Sequence, residues 1–459
     1  MARSEITNLA MGKFLQIVFS DGVRNQISES YRDWEMIERL RKGPGVEREH
    51  RFLFQTSFGP AGVQYANPGS SGRSFPTAQD IDVDEYTAVM NEIHSTVEIE
   101  YNMWKRAMLA PKKYAEPLAI KIKSSATAAK RRLAADLYGE GSGVLGEVAD
   151  VSASVDFATS GTAVQISLDA DDSARGAVGM FEYGDKVQFY DLDGTEHALA
   201  DGGTSASYGL VTAKDRANDK ITVAWYDSSD NLLTIDGLGT VTDTDVLIRQ
   251  PQPSKVDLST TVTDYNTATE VFAGLESLAA YDGRTVHGIT MSGAAAGSHY
   301  DCGAASIDSS HLQAALSEVK TAVGPGVYKY PGMVMAPETN NSLVESREVD
   351  RRFTSIADNK RGVNKFVYVH EDDNVEVITS EFCPKKRIWI LPQEKTGQNV
   401  LEFHGTDFEP VKPNGEGSEF FLKPSSSGGH VGVISSYMLA MICLICKHPK
   451  AIQRIHNFS

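Results

Sequence analysis

The sequence predicts an α+β fold with an all-β segment inserted into it, and three stretches carry that prediction. Residues 117–138 space their apolar side chains as one long amphipathic helix does. Residues 49–104 read as two strands around a tip dense in Gly, Pro, Ser and Asn. Residues 145–250 hold five strand-like runs parted by turn clusters, the pattern of a barrel or sandwich.

In the helical stretch, Leu118, Ile122, Ala126, Ala129, Leu133 and Leu137 recur at helical steps. Pro117 suits a first turn, where its missing N–H is not needed, and Gly139 supplies the stop after Tyr138. At 1.5 Å per residue the rod is about 33 Å long. Its stripe is narrow and Ala-rich, so a neighbour packs closely along one side. Lys121 and Arg132 flank the stripe on one edge, Lys123 and Lys130 on the other, and Arg131 lies opposite, against a single acid, Asp136. That basic face is either solvated or set against a polyanion or acidic neighbours.

Composition bounds what such a chain can do. Its 459 residues, 41% hydrophobic and 23% charged, suit a globular protein of roughly two to four domains. A net charge of −17 argues against binding nucleic acid by phosphate neutralisation. The opening MARSEITNLAMGKFLQ has no secretory pattern, and the apolar run 437–446 is too short to span a bilayer, so no membrane partner is expected. Cys302, Cys383, Cys443 and Cys446 are too few and too uneven for a disulfide framework, which points to a reducing cytoplasm. Cys443 and Cys446 have CxxC spacing but sit in an apolar run without a second pair, so they read as buried structural thiols.

Taken in order, residues 1–48 read as an extended arm with one or two short helices, the second carried by Trp34, Ile37 and Leu40. In 49–104, Phe52 and Phe54 alternate in the first strand. Tyr86 to Trp104 fits helix and strand templates alike, and its β-branched content tips it to strand. A bare hairpin is marginal in water, so an arm of this length needs a partner surface, here assigned to another subunit through Trp34, Phe52, Phe54, Phe58, Tyr65 and Phe75. After a helical stretch at 105–144 and the β insert at 145–255, residues 256–440 read as a mixed α/β body. Its helices are expected at 267–280, 309–323 and 338–352, and its strands near 365–370, 375–380 and 387–391. Residues 441–459 close the chain as strand.

No convincing catalytic constellation emerges. Gly139, Gly141 and Gly143 follow a helix rather than precede one, so they cradle no phosphate. Asp191 and Asp193 lack the further ligands of a calcium loop. The best catalytic-looking cluster is His299-Tyr300-Asp301-Cys302 with His287 upstream, placed in a Gly/Ala-rich surface loop with nothing marking an oxyanion site. No enzyme activity, cofactor or metal is expected.

This order of parts resembles a tailed-bacteriophage major capsid protein of the Hong Kong 97 fold, in the subgroup carrying an inserted β-domain. The resemblance rests on the arm, the long hairpin and the helix, then on LYGEGSGVLGEV (137–148), FEYGDKV (181–187), GLVTAKDRANDKITV (209–223) and DTDVLIRQ (243–250). It continues through FAGLESLAAYDGRTVHGI (272–289), EFCPKKRIWILP (381–392) and the closing HPKAIQRIHNF. It implies a peripheral domain holding the long "spine" helix, an axial domain within 256–440, and a shell of hexamers and pentamers of this chain in the virion, assembled in the host cytoplasm. It further implies a separate scaffolding protein, a portal, a decoration protein, and double-stranded DNA enclosed without sequence-specific binding. Lys121, Lys123, Lys130, Arg131 and Arg132 would then face inward. Some members cross-link through a hairpin lysine, but residues 50–104 contain no lysine, so a non-covalent shell is expected. The competing readings are an encapsulin-like shell, disfavoured by the β insert, and a multidomain hydrolase with a carbohydrate-binding β-domain, disfavoured by the missing signal pattern and acid/base pair.

Overall fold

The computed structural model describes residues 38–41, 49–55, 83–100, 128–129, 131–149, 163–170, 176–191, 196, 200–201, 204–234, 245–249, 273–280, 283–293, 295–324, 327–348, 367–370, 373–394, 400–405, 409–410, 421–424 and 430–459. A short strand, β1 (Glu38–Arg41), stands where helical spacing suggested a helix, and it pairs in parallel with β20 (Leu401–Gly405). Tertiary pairing overrides a three-residue helical pattern readily, because a single turn has little intrinsic stability. The next strands, β2 (Glu49–Gln55) and β3 (Val83–Val89), form an antiparallel hairpin, and after Met90 the chain runs on as β4 (Asn91–Glu100). Over its described residues, 86–100, the ambiguous stretch is therefore strand on both sides of Met90.

β4 lies along β23 (His430–Cys446), from Asn91 opposite Ile442 to Glu100 opposite Val433. Seventeen residues long, β23 spans about 58 Å at strand rise. It also pairs with β20, β21 (Glu409–Pro410) and β22 (Phe421–Pro424) in turn. One long strand thus gathers the ends of the chain into a single sheet.

The strands between 144 and 249 close on themselves. They are β5 (Val144–Glu147), β6 (Val164–Ser167), β7 (Lys186–Tyr190), β10 (Tyr208–Asp215), β11 (Lys220–Tyr226) and β12 (Val246–Arg249), with a two-residue pair, β8 (Ala200–Asp201) and β9 (Thr204–Ser205), beside them. The antiparallel order is β5-β12-β7-β10-β11-β6. Past the ends of β5 and β6, Val148 bridges Leu168, with Ala149 N donating to Ser167 O at 3.1 Å and Asp169 N to Glu147 O at 2.8 Å. Both outer strands are thereby joined, so the sheet is a small barrel with covered edges. Inside, Val187, Phe189, Ile221, Val223 and Trp225 are wholly buried, and the Phe189 and Trp225 rings stack at 5.3 Å.

The body is built on a second six-stranded sheet, ordered β15-β24-β19-β16-β18-β17. These strands are β15 (Ser298–Ala305), β16 (Tyr328–Met335), β17 (Val367–His370), β18 (Asp373–Thr379), β19 (Ile388–Glu394) and β24 (Gln453–Phe458). The C-terminal β24 lies between β15 and β19, so the last residues of the chain hold its middle together. Helix α3 (Ser309–Val323) begins where the Asp308 carboxylate accepts from Ser310 N at 2.8 Å and His311 N at 3.0 Å, an N-cap that satisfies two orphan donors. Its buried residues Leu312, Ala315, Leu316, Val319 and Val323 keep helical spacing. Helix α4 (Pro337–Glu348) follows β16.

The predicted spine helix, α1, is described over residues 128–129 and 131–136; its earlier residues lie outside the described set. Its last turns are buried on every side, Leu133 to Tyr138 all lying below 7% exposure, so the narrow stripe read from sequence widens to a full circumference here. The reason is α2 (Leu275–Leu278), which docks on its end: Leu275 N donates to Leu137 O at 2.7 Å. Just before α2, a Cβ on Gly274 would lie 2.5 Å from Asp136 O and from Gly139 O and 2.6 Å from Leu137 O. Only glycine lets the two backbones approach this closely.

Gly274→Ala should therefore lower the unfolding free energy by about 3 kcal/mol, the upper range for overpacking, because backbone oxygens cannot step aside. Urea unfolding of the variant beside the parent chain measures this; an unchanged midpoint would contradict the close approach.

Candidate functional site

The hairpin β2–β3 is a two-stranded sheet of its own. Its register runs from Glu49 opposite Val89 to Gln55 opposite Val83, and among the described residues neither strand pairs with any third one. Phe52 stands opposite Tyr86 and Phe54 opposite Asp84. Its base is firm: Ala88 is wholly buried and Met90 nearly so, where the chain passes onto the long sheet. The hairpin thus continues a strand clamped on β23 beyond the point where that clamp ends. Trp34, Phe58, Tyr65 and Phe75 lie outside the described residues, as do Lys121, Lys123 and Lys130.

The two arginines of the basic face that are described meet acids of their own chain. Arg131 Nη2 lies 3.2 Å from Glu182 and 3.4 Å from Glu381, and Arg132 Nε lies 3.7 Å from Asp136. From Asp136 the chain of charges enters the barrel, since Arg249 Nη1 lies 3.7 Å from Asp136 and its Nη2 3.0 Å from Asp185. Burial works to lower the Arg249 guanidinium, but the flanking Asp185 and Asp136 carboxylates hold it above its ordinary value. At the outer rim Arg216 grips Glu338 with two bonds of 2.9 Å, and Lys385 Nζ reaches Asp219 at 2.8 Å. Each pair joins barrel to body.

A second ionic node ties the body together. Glu276 of α2 receives Arg454 of β24 at 2.8 Å and Arg387 at 3.3 Å. Burial pushes the Glu276 carboxyl up, yet Arg387, Arg454 and Arg284 together hold it below its usual range. Apolar periodicity gave no hint of these residues. The one sequence signal is the charge at the end of VLIR (246–249), a fully buried strand that finishes on an arginine.

The catalytic-looking cluster does not assemble. Residues 298–305 form strand β15, not a surface loop, because Ser298 to Asp301 pair in parallel with β24. Three residues apart on a strand, His299 and Cys302 point to opposite faces. His299 Nε2 donates to Ala279 O at 2.7 Å, Cys302 is buried, and Asp301 accepts from Gly303 N at 2.7 Å and Asn457 Nδ2 at 2.6 Å. His287 sits elsewhere, in the tight turn between β13 (Thr285–Val286) and β14 (Ile289–Thr290), donating Nε2–H to Leu444 O at 2.8 Å. The thiols of Cys383, Cys443 and Cys446 are also buried and unbridged, and burial pushes Cys446 up to about 12. Among the described residues no group of three or more His, Cys, Asp or Glu could hold a metal ion, and no helix is long and apolar enough to cross a membrane.

No protein-family model matches this chain, and no curated protein matches it. Among solved structures it is similar to the capsid asymmetric unit of cyanophage A-1(L), at 8% identity and a TM-score of 0.43, over 92% of this chain and 90% of that one. It is similar also to the capsid of a native GTA particle, at 10% identity and a TM-score of 0.40, over 93% and 89%. An encapsulin from Synechococcus elongatus PCC 7942 aligns at 14% identity and a TM-score of 0.22, over 35% of this chain and 53% of that one.

Two outcomes follow from the buried titratable groups. Burial drops His299 and His448 from 6.5 to about 4. Unfolded, both imidazoles take a proton near pH 6.5; folded, they stay neutral until about pH 4. The unfolded state therefore binds more protons across that window, and stability present at pH 7 is lost as pH falls through it, by up to about 3 kcal/mol for each histidine. Urea midpoints from pH 7 to pH 4.5 should fall accordingly, and His448→Gln should make that fall shallower. Iodoacetamide should leave the four cysteines of the native chain unmodified and label them after unfolding; fast native labelling of Cys302 would reopen a nucleophile there.

Proposed function

We propose that this chain is the major capsid protein of a tailed bacteriophage, self-assembling into the icosahedral shell that encloses double-stranded DNA. The observation that carries the reading is the β2–β3 hairpin, a two-stranded extension paired only with itself among the described residues. A hairpin of seven register pairs is marginal in water alone. Laid across a neighbouring copy it gains a partner surface, and repeated head-to-tail contacts of that kind close into curved shells. The order of arm, hairpin, helix, barrel and mixed body, which resembles the capsid family at sequence level, supports the same reading.

In this proposal Phe52 and Phe54 of β2, with Trp34, Phe58, Tyr65 and Phe75, contact the neighbouring subunit. Lys121, Lys123 and Lys130 face the shell interior. Arg131 and Arg132 contribute less to that face, because each already meets a carboxylate of its own chain. The chain's role is structural, with no turnover. Its other partners are a separate scaffolding protein, a portal and a decoration protein, and its copies assemble in the host cytoplasm. The net charge of −17 suits enclosure of DNA without tight binding, since released DNA must leave the shell freely.

Electron microscopy of the full chain, expressed with and without the scaffolding protein of its phage, tests the proposal. Closed shells, aberrant shells or capsomer rings are the expected outcome, and monomers under both conditions would overturn it. Replacing 56–82 with a short Gly/Ser turn should abolish assembly while leaving subunits soluble and folded by circular dichroism. Boiling assembled particles in detergent should release single chains, as a shell without a hairpin lysine requires.

A further inference from the structure

Strands β10 and β11 of the barrel pair from Asp215 opposite Lys220 to Tyr208 opposite Tyr226. Their turn lies against the body, where Arg216 meets Glu338 and Asp219 meets Lys385. Tyr208 stands seven residues back along β10 from Asp215, about 24 Å away at strand rise. At that far end the Tyr208 and Tyr226 rings stack at 5.4 Å and 14°, both half-buried. Leu232, which bridges Tyr226, is 48% exposed; among the described residues only Tyr183 is a more exposed large apolar side chain.

This surface is held in shape before anything binds. The Asp227 carboxylate accepts from Ser229 N, Asn231 N and Asn231 Nδ2, each at 2.8 Å, and Tyr208 OH donates to Asp230 at 2.6 Å. A fixed turn has little ordering entropy left to lose on binding. Its charge is negative: Asn231 holds the Asp227 carboxyl below its usual range, and Asp230 is exposed. On the β7 side, Gln188 Nε2 donates to the exposed Glu196 at 3.0 Å. Lys186 Nζ sits 3.8 Å from the centre of the Tyr208 ring, so a cation of the chain itself already uses this aromatic surface. Residues 144–249 hold 19 Asp and Glu against 6 Lys and Arg, a net −13 within the chain's −17. Three of those six, Lys214, Arg216 and Arg249, lie on the side facing α1 and the body, where they meet Glu182, Glu338 and Asp136.

We propose that the far end of the barrel is a docking surface for a basic protein segment, with Tyr208, Tyr226 and Leu232 as its apolar centre and Glu196, Asp227 and Asp230 as its acidic rim. Tyrosine at the centre and polar groups around it are what a protein-binding hot spot requires. The charge selects the partner. Arginine fits best, since its guanidinium stacks on a tyrosine face and pairs with a carboxylate through two N–H groups. Nucleic acid and a second barrel are both repelled. The surface belongs to the single chain, so its test stands whether or not shells form.

Fluorescence anisotropy with a labelled nonapeptide, Arg-Leu-Arg three times over, tests this on the full chain at about 150 mM salt, where exposed charges act over only about 8 Å. Saturable binding is expected, with none for Glu-Leu-Glu three times over. Leu232→Ser, and separately Glu196→Gln with Asp230→Asn, should each weaken binding about tenfold. Asparagine tolerates the φ of 61° at 230 and still accepts from Tyr208, so the rim pair keeps the fold. Glu92→Gln with Glu318→Gln removes the same charge from exposed sites outside the barrel and should change binding by less than about twofold. On the unaltered chain, the same peptide carrying a benzophenone should photo-cross-link within 206–210 and 226–232. Four results would overturn the proposal: no saturable binding, full binding by Leu232→Ser, an outer pair as damaging as the rim pair, or cross-links confined to other segments.

Discussion

The buried C-terminal end of α1 is the constraint on which the rest of the structure depends. A helix leaves its last carbonyls without intrahelical partners, and burying them requires donors from elsewhere. Leu275 N supplies one by donating to Leu137 O, which brings α2 down onto the helix end. Glu276, the next residue of α2, then projects toward Arg387 and Arg454 and ties the body sheet to the same point. On the other side Asp136, the last residue of the helix, receives Arg249 of the barrel. Helix, body and barrel meet within a few residues, around a glycine that cannot carry a side chain.

Charges occupy this junction where a protein of ordinary hydrophobic content could have used apolar contacts. Buried ion pairs are weak evidence for stability, because desolvation offsets most of their attraction. They do impose geometry: Arg249 is satisfied only when Asp136 and Asp185 both lie within reach, and Arg216 only when Glu338 presents both oxygens. Such contacts specify one relative placement of barrel and body, whose buried apolar residues belong to one continuous core.

The long sheet answers a different requirement. β23 offers a continuous edge to β4 on one side and to β20, β21 and β22 in sequence on the other. A strand of such length anchors β4 firmly enough for β3 and β2 to extend past it. Paired base and two-stranded extension belong together, since an extension holds its direction only if its root does not fray. His299 and Cys302, three residues apart on β15, are parted across that strand.

Much of the local architecture is legible in residue order. Helix α3 lies over the span its apolar spacing predicts, the barrel strands fall within a few residues of the Val- and Ile-rich runs between turn clusters, and β-branched content assigned 86–100 to strand correctly. These features are written in short-range periodicity, which a sequence states directly. What the periodicity could not state is partnership. The helical pattern near Leu40 yields to a strand because β20 offers an edge, and the loop assigned to His299 becomes a strand because the last residues of the chain insert beside it. Glu276 and Gly274 carry no local signal, and Arg249 only its charge at the end of an apolar strand, since their roles arise from residues more than sixty positions away. Sequence alone determined the span of helix α3, the strand runs between 164 and 249 and the absence of lysine from residues 50–104. Only tertiary structure decided where the charges go, because a buried charge is located by the partners that make its burial tolerable.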